Sequence, residues 1–258
     1  MALKIGVIQP SFRLPLKEAL EKAREVGADG VQLWVASGEL DPDNLSDSGK
    51  KDLLHYLEAN KLEISAVCGD IGGFAHAEGL EERIAKTKRI VDLAIELETP
   101  IITTHIGTIP EDWRETKDGQ MMLDAVKEAA KYAEERGAFL ASETGPESPE
   151  LMKEFLDAVH SKGIAVNYDP ANLVMRGFDY LGGVKVLAPY IVHTHAKDGV
   201  RRDGRGREVA LGDGDVKWDA YIAAMKDIGF KGFFTIEREV GDDPVADIKK
   251  AVEFLRRY

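Results

Sequence analysis

Four side chains able to bind a divalent cation stand at the ends of four successive strand-like segments. They are Glu143 in AFLASETG, Asp169 in IAVNYDPAN, His195 in IVHTHAKDG and Glu237 in GFFTIEREV. The spacings are 26, 26 and 42 residues, each close to one strand plus one helix. If those strands are parallel and adjacent, the four side chains meet at one end of the sheet. Two Glu, one Asp and one His form a hard-to-borderline donor set, with two carboxylates left for proton transfer. Each residue alone has a plainer reading. A Glu at a strand end is commonly a cap or a surface charge, and Asp169 before Pro170 suits a helix N-cap. Four ligand-type residues at four successive strand ends are hard to assign to capping.

The elements that must position them alternate strictly. Strands are expected at Lys4–Ile8, Gly30–Val35, Glu63–Val67, Ile101–Thr104, Phe139–Ser142, Ala165–Tyr168, Ile191–His195 and Phe233–Ile236. Between them run segments with apolar residues at helical spacing, such as LKEALEKAREVG, MMLDAVKEAAKYAEERG and PELMKEFLDAVHSKG. Gly27, Gly137, Gly163 and Gly229 follow four of these, where a left-handed C-cap is wanted. Eight unbroken βα units predict an α/β fold, a single-domain (β/α)8 TIM barrel over residues 1–258. A doubly wound nucleotide-binding sheet would need a glycine-rich turn after the first strand. Here that turn reads Gln9-Pro10-Ser11-Phe12. Val200–Gly214 is expected to be a long irregular loop over the mouth of the barrel.

The chain has 258 residues, 46 acidic and 34 basic, for a net charge of −12. That balance disfavours nucleic acid and anionic membranes as partners and suits a cation cofactor. No apolar run approaches the roughly 20 residues of a membrane span, and MALKIGVIQPS has no signal-peptide h-region. Cys68 is the only cysteine, so no intrachain disulfide forms, which fits a cytoplasmic protein.

With these motifs the chain resembles the xylose-isomerase-like sugar phosphate isomerase/epimerase superfamily, over nearly its whole length. That superfamily also holds ketose 3-epimerases, inosose dehydratases and endonuclease IV. The resemblance is strongest from Ala138 to Val240 and includes HTHAKDGVR, LGDGDVKWD and TIEREV. It implies that Glu143, Asp169, His195 and Glu237 are the metal ligands and that Arg201 contacts substrate. One position departs from the ketose 3-epimerase pattern: Asn172 stands where those enzymes carry a histidine. Asn hydrogen-bonds a hydroxyl but does not serve as an acid or base near neutral pH.

The chemistry expected is proton transfer beside a carbonyl on a sugar or sugar phosphate. One divalent ion, Mn2+ or Mg2+ ahead of Co2+ or Zn2+, would stabilise the enediolate. Glu143 and Glu237 are the expected catalytic bases. His105 after the fourth strand, Trp113 in the following loop, Asn172 and Asp198 are further substrate-binding candidates. For each a structural role is the competing reading. Three functions compete: isomerase or epimerase, a keto-sugar or keto-inositol dehydratase or lyase using the same enediolate, and an endonuclease IV-like phosphodiesterase. The last is disfavoured by the acidic charge and by only six histidines. A homo-oligomer is compatible with the sequence.

Overall fold

Short β-branched runs form an inner barrel whose strands are largely buried on both faces, as strands covered by helices must be. The computed structural model describes residues 2–258. In chain order the elements begin β1 (Lys4–Ile8), α1 (Leu16–Glu25), β2 (Gly30–Trp34), α2 (Asp47–Ala59), β3 (Glu63–Cys68), α3 (Leu80–Glu96) and β4 (Ile101–Thr104). The middle of the chain contributes α4 (Lys117–Glu135), β5 (Phe139–Glu143), α5 (Pro149–Val159), β6 (Ile164–Tyr168), α6 (Pro170–Arg176) and α7 (Tyr180–Leu187). The last part adds β7 (Ile191–Ala196), β8 (Asp198–Arg202), β9 (Arg205–Val209), α8 (Trp218–Asp227), β10 (Phe233–Ile236) and α9 (Pro244–Leu255). Eight strands close in the order β1-β10-β7-β6-β5-β4-β3-β2, every pairing parallel. The TIM barrel expected from the alternation is the fold of the chain.

The helices follow their sequence signals. In α3 the buried residues Ile84, Thr87, Ile90, Val91 and Ala94 recur at helical spacing and form the inward stripe. Burying each large aliphatic side chain there contributes about 1.5–3 kcal/mol. Ser148 caps α5 by accepting from the Leu151 amide at 3.2 Å, and Pro149 occupies the first turn, where no N–H is needed. Gly27, Gly137 and Gly229 have positive φ after their helices, as expected of C-caps. Gly163 does not. The left-handed residue after α5 is His160, at φ 55°. Gly163 is required for another reason: a Cβ there would lie 2.0 Å from the Ala130 carbonyl oxygen in α4.

Two departures from the expected elements bear on the site. A separate short helix, α6, follows β6 directly and begins at Pro170. The segment Val200–Gly214 is not irregular for most of its length. Strands β8 and β9 pair antiparallel as a hairpin, from Asp198↔Val209 to Arg202↔Arg205. Its two-residue turn is Asp203-Gly204, at φ 51° and 77°, the type I′ geometry that matches strand twist. Among the described residues no helix is long and apolar enough to cross a membrane.

Candidate metal centre

The barrel's register brings the four ligand-type residues together. Glu143 is the last residue of β5, Asp169 follows β6, His195 lies near the end of β7, and Glu237 follows β10. These strands are consecutive around the barrel. One ligand atom from each lies within 4.8 Å of the others. His195 Nδ1 is 3.4 Å from Glu237 Oε2, 3.5 Å from Glu143 Oε2 and 3.9 Å from Asp169 Oδ2. All four are buried or nearly so.

The plain and the functional readings of Asp169 hold together. Its Oδ1 caps α6, accepting from the Ala171 amide at 2.8 Å and the Asn172 amide at 3.0 Å. Its Oδ2 is fully buried and has no hydrogen-bond partner. A buried carboxylate oxygen left unpaired is costly. This one faces His195 Nδ1, Lys197 and the other carboxylates, so a cation held there satisfies it. Three oxygens and one imidazole nitrogen suit Mn2+ or Mg2+, with Co2+ or Zn2+ also accommodated. The residues therefore fit a divalent ion.

A polar layer inside the barrel aims the ligands. Register shifts at Val31/Gln32 in β2 and Val166/Asn167 in β6 fall beside two buried amides, as bulges near functional sites commonly do. Gln32 is fully buried. Its Nε2 donates to Thr103 Oγ1 at 2.8 Å, and the Thr103 hydroxyl is directed to the Val67 carbonyl. The Gln32 carbonyl oxygen is thereby turned to His195 Nε2, 3.0 Å away. His195 must donate from Nε2, which leaves the Nδ1 lone pair for a metal. Asn167 donates to Glu143 Oε2 at 3.2 Å, and its carbonyl accepts from His193 Nδ1 at 2.8 Å. His193 also meets Thr235 Oγ1 at 2.9 Å. Burial, and then the nearby His195, hold His193 well below the usual histidine range.

The charges of the cluster favour a divalent ion. Lys197 is buried, with Nζ 2.8 Å from Glu237 Oε2 and 2.5 Å from Glu239 Oε2. Burial opposes its charge, but Glu237, Asp169 and Glu143 outweigh that and raise its pKa. Burial likewise opposes ionisation of Glu237, yet His195 and Lys197 prevail and hold it as a carboxylate. Asp169 is raised by burial, with Glu143 and Glu237 adding to the shift against the pull of Lys197. The three carboxylates of the cluster exceed the single charge of Lys197, which also meets Glu239, so the net negative charge left over suits a dication.

A model of the xylose isomerase-like TIM barrel family matches residues 20–258. The chain belongs to that family. An uncharacterized protein of Methanocaldococcus jannaschii is 25% identical over 280 residues, covering 99% of this chain and 89% of the other. Inosose dehydratase 2 of Bacillus cereus is 20% identical over 257 residues, covering 92% and 76%. Among solved structures, a xylose isomerase domain protein from Planctomyces limnophilus superposes with a TM-score of 0.87 at 27% identity, covering 99% of this chain and 96% of that one. Two others share the fold at lower identity. A xylose isomerase-like TIM barrel protein from Mycobacterium smegmatis, in complex with magnesium, gives 0.79 at 20% identity, covering 99% and 96%. D-psicose 3-epimerase from Clostridium cellulolyticum, with D-tagatose, gives 0.79 at 17% identity, covering 99% of both chains.

In this xylose isomerase-like barrel the expected substrate contacts divide. A cavity of about 530 Å³ is lined by His105, Gly145, Asn172, Arg176, Arg201 and Gly206, among others. It opens beside the carboxylate cluster, because Asn172 Nδ2 donates to Glu143 Oε1 at 2.8 Å and His105 Nε2 lies 3.9 Å from the same oxygen. His105, Asn172 and Arg201 therefore stand where a substrate can reach them. Asp70 was not singled out by the sequence. It meets His105 Nδ1 at 2.8 Å, and that bond, together with the charge of Glu143, pushes His105 up to about 9 against burial.

Trp113 and Asp198, by contrast, are buried and do not line this cavity. Trp113 is 2% exposed and packs edge-on against Phe155 with centroids 5.1 Å apart, because the loop after β4 folds inward onto α5. Asp198 is 1% exposed and collects the amides of Gly199, Gly212, Gly214 and Val216 and the Trp218 indole N–H. Its oxygens are consumed in holding the chain that returns from the hairpin to α8.

Proposed function

We propose that this protein is a divalent-metal-dependent isomerase or epimerase acting on a sugar or sugar phosphate by proton transfer beside a carbonyl. The observation that carries the reading is the convergence of Glu143, Asp169, His195 and Glu237 around the unpartnered Asp169 Oδ2. These four residues would hold the ion, with Mn2+ or Mg2+ preferred. When bound, the ion supplies Lewis-acid polarisation of the carbonyl and stabilises the charge of the enediolate left by proton loss. Glu143 and Glu237 act as the proton-transfer pair: one, as carboxylate, takes the proton, and the other, as a carboxylic acid that has drawn its proton from solvent, returns one to the carbon. Lys197, 2.8 Å away, keeps Glu237 ionised and ready to accept. Asn172 fixes the Glu143 carboxylate and offers its carbonyl to a substrate hydroxyl. Protonated His105, oriented by Asp70, donates to a substrate oxygen at the cavity wall. Arg201 contacts the far end of the substrate. The substrate is a small molecule. A charge of −12 disfavours nucleic acid or an anionic membrane as partner.

A second reading has a specific observation behind it. The likeness to inosose dehydratase 2 spans 92% of this chain. Removal of the same proton, followed by departure of a β-hydroxyl, gives dehydration with the same residues. One experiment decides between them. Free and phosphorylated ketoses are incubated with the Mn2+-loaded protein in D2O and followed by NMR. Epimerisation places deuterium at an inverted stereocentre with the skeleton unchanged. Isomerisation places it next to a new carbonyl, and dehydration shows as loss of water. Turnover in which deuterium placed at that carbon stays there would sink the proton-transfer mechanism.

A further inference from the structure

One wall of the cavity beside the carboxylate cluster is basic, and among the described residues its charge has no acidic partner. Arg201 lies on β8 and Arg176 ends α6, and both line the same cavity. Neither guanidinium is paired with a carboxylate among the described residues, in a chain with 12 more acidic than basic side chains. By contrast Arg202, Arg238 and Arg256 are each paired with acidic groups.

The hairpin selects which arginines face the cavity. Directly opposed residues of an antiparallel pair share a face. Arg201 opposes Gly206, and Gly206 lies flat on α6: a Cβ there would come within 2.4 Å of the Met175 carbonyl oxygen. Arg202 opposes Arg205, and Arg207 opposes Val200, on the other face, and none of these three arginines lines the cavity. Arg201 is also held. Its Nη1 donates to the Met175 carbonyl at 2.7 Å, and its side chain crosses Gly177, where a Cβ would stand 3.1 Å from Nε. Arg176 lies one turn beyond Asn172, about 6 Å along α6 at 1.5 Å per residue. Asn172 touches Glu143, so the basic wall stands a short carbon chain away from the ligand cluster.

Resting on the isomerase or epimerase reading, we infer that Arg176 and Arg201 form an anion subsite, so that the substrate carries a phosphate or carboxylate at the end remote from its carbonyl. Two guanidinium forks match either group, and such bonds are the stronger, charge-assisted kind. The arrangement makes Arg176, which no sequence motif marks, a determinant of specificity.

The test is calorimetric titration of the Mn2+-loaded protein with D-fructose, D-fructose 6-phosphate and D-fructuronate. The three share the keto end and differ only at the terminal carbon. At least one anionic ligand should bind about tenfold or more tightly than D-fructose, as expected for added charge-assisted bonds. Which of the two does so distinguishes phosphate from carboxylate. In Arg176→Gln that ratio should fall toward one, and Arg176→Lys should keep part of it. Equal binding of all three, or a ratio that survives Arg176→Gln, overturns the subsite, as does failure of both anions to bind protein that has taken up Mn2+. Failure to take up Mn2+ at all is a separate result and counts against the metal-dependent reading instead.

Discussion

Replacing Gln32 by Leu should weaken metal binding although Gln32 touches no metal ligand atom that faces the ion. Gln32 is fully buried and its carbonyl is 3.0 Å from His195 Nε2. Its orientation is fixed because the Thr103 hydroxyl is spent on the Val67 carbonyl and accepts from the Gln32 amide. Leu is close in volume but offers no acceptor. The His195 Nε2–H is then buried without an acceptor opposite it, a loss worth about 1–3 kcal/mol. Free of that bond, the imidazole can flip or change tautomer, and Nδ1 is no longer reserved for the ion. Loss of the outer partner of a metal-bound histidine typically lowers affinity about 10–100-fold, or roughly 1.4–2.8 kcal/mol. Mn2+ titration followed by the EPR signal of the free ion measures this directly. Gln32→Glu restores an acceptor and should bind Mn2+ more tightly than Gln32→Leu. If Gln32→Leu keeps wild-type affinity while only its melting temperature falls, Gln32 is merely packing and the tautomer argument is refuted.

Glu143→Gln and Glu237→Gln should each lower turnover by several orders of magnitude, and the double variant should lose little more, because the residues act as a unit; a loss of under about tenfold, roughly 1.4 kcal/mol, in either single variant rejects its role. Asp198→Ala removes an acceptor used by five donors and should cost more than about 3 kcal/mol in denaturant unfolding; a cost under about 1 kcal/mol would show that the loop before α8 holds itself. Glu147 is buried with Oε2 unpartnered, and burial pushes its carboxyl up to about 7. A carboxyl whose folded-state pKa lies above its unfolded value is penalised only where it must ionise. The cost is absent below about pH 4.5, grows through the interval and is complete above about pH 7. Glu147→Gln should therefore be more stable than wild type at pH 8, by up to about 3 kcal/mol, and lose that advantage by pH 4.5; an advantage independent of pH would contradict the assignment.

The fold and the ligand cluster were legible in the sequence for the same reason. A parallel barrel repeats one strand-plus-helix unit, so spacing alone carries Glu143, Asp169, His195 and Glu237 to one rim. What lay below the rim was harder to read. Gln32 and Asn167 sit in GVQLW and IAVNYD, where a lone amide in an apolar strand signals a buried polar contact. Which histidine nitrogen it orients depends on bulges that no periodicity announces. Asp70 follows β3 in a stretch without pattern, and its bond to His105 joins two loops 35 residues apart. Asp203-Gly204 is a hairpin signal between strands too polar to look like strands, so VRRDGRGREV reads as loop. Trp113 and Asp198 lie close in sequence to true rim residues, but proximity along the chain does not decide whether a side chain turns inward.

The account rests on one ion held by four residues, and the most direct measurement is the stoichiometry and affinity of Mn2+. Wild-type protein stripped with EDTA should take up about one Mn2+ per chain, as a closed ligand set requires. The Asp169→Asn variant retains the Oδ1 cap of α6 but loses the anionic Oδ2, so it should stay folded and bind Mn2+ at least about tenfold more weakly. Uptake of one ion with unchanged affinity in that variant would place the metal elsewhere. Wild-type protein that is folded, stripped and unable to bind Mn2+, Mg2+, Co2+ or Zn2+ would contradict the account outright.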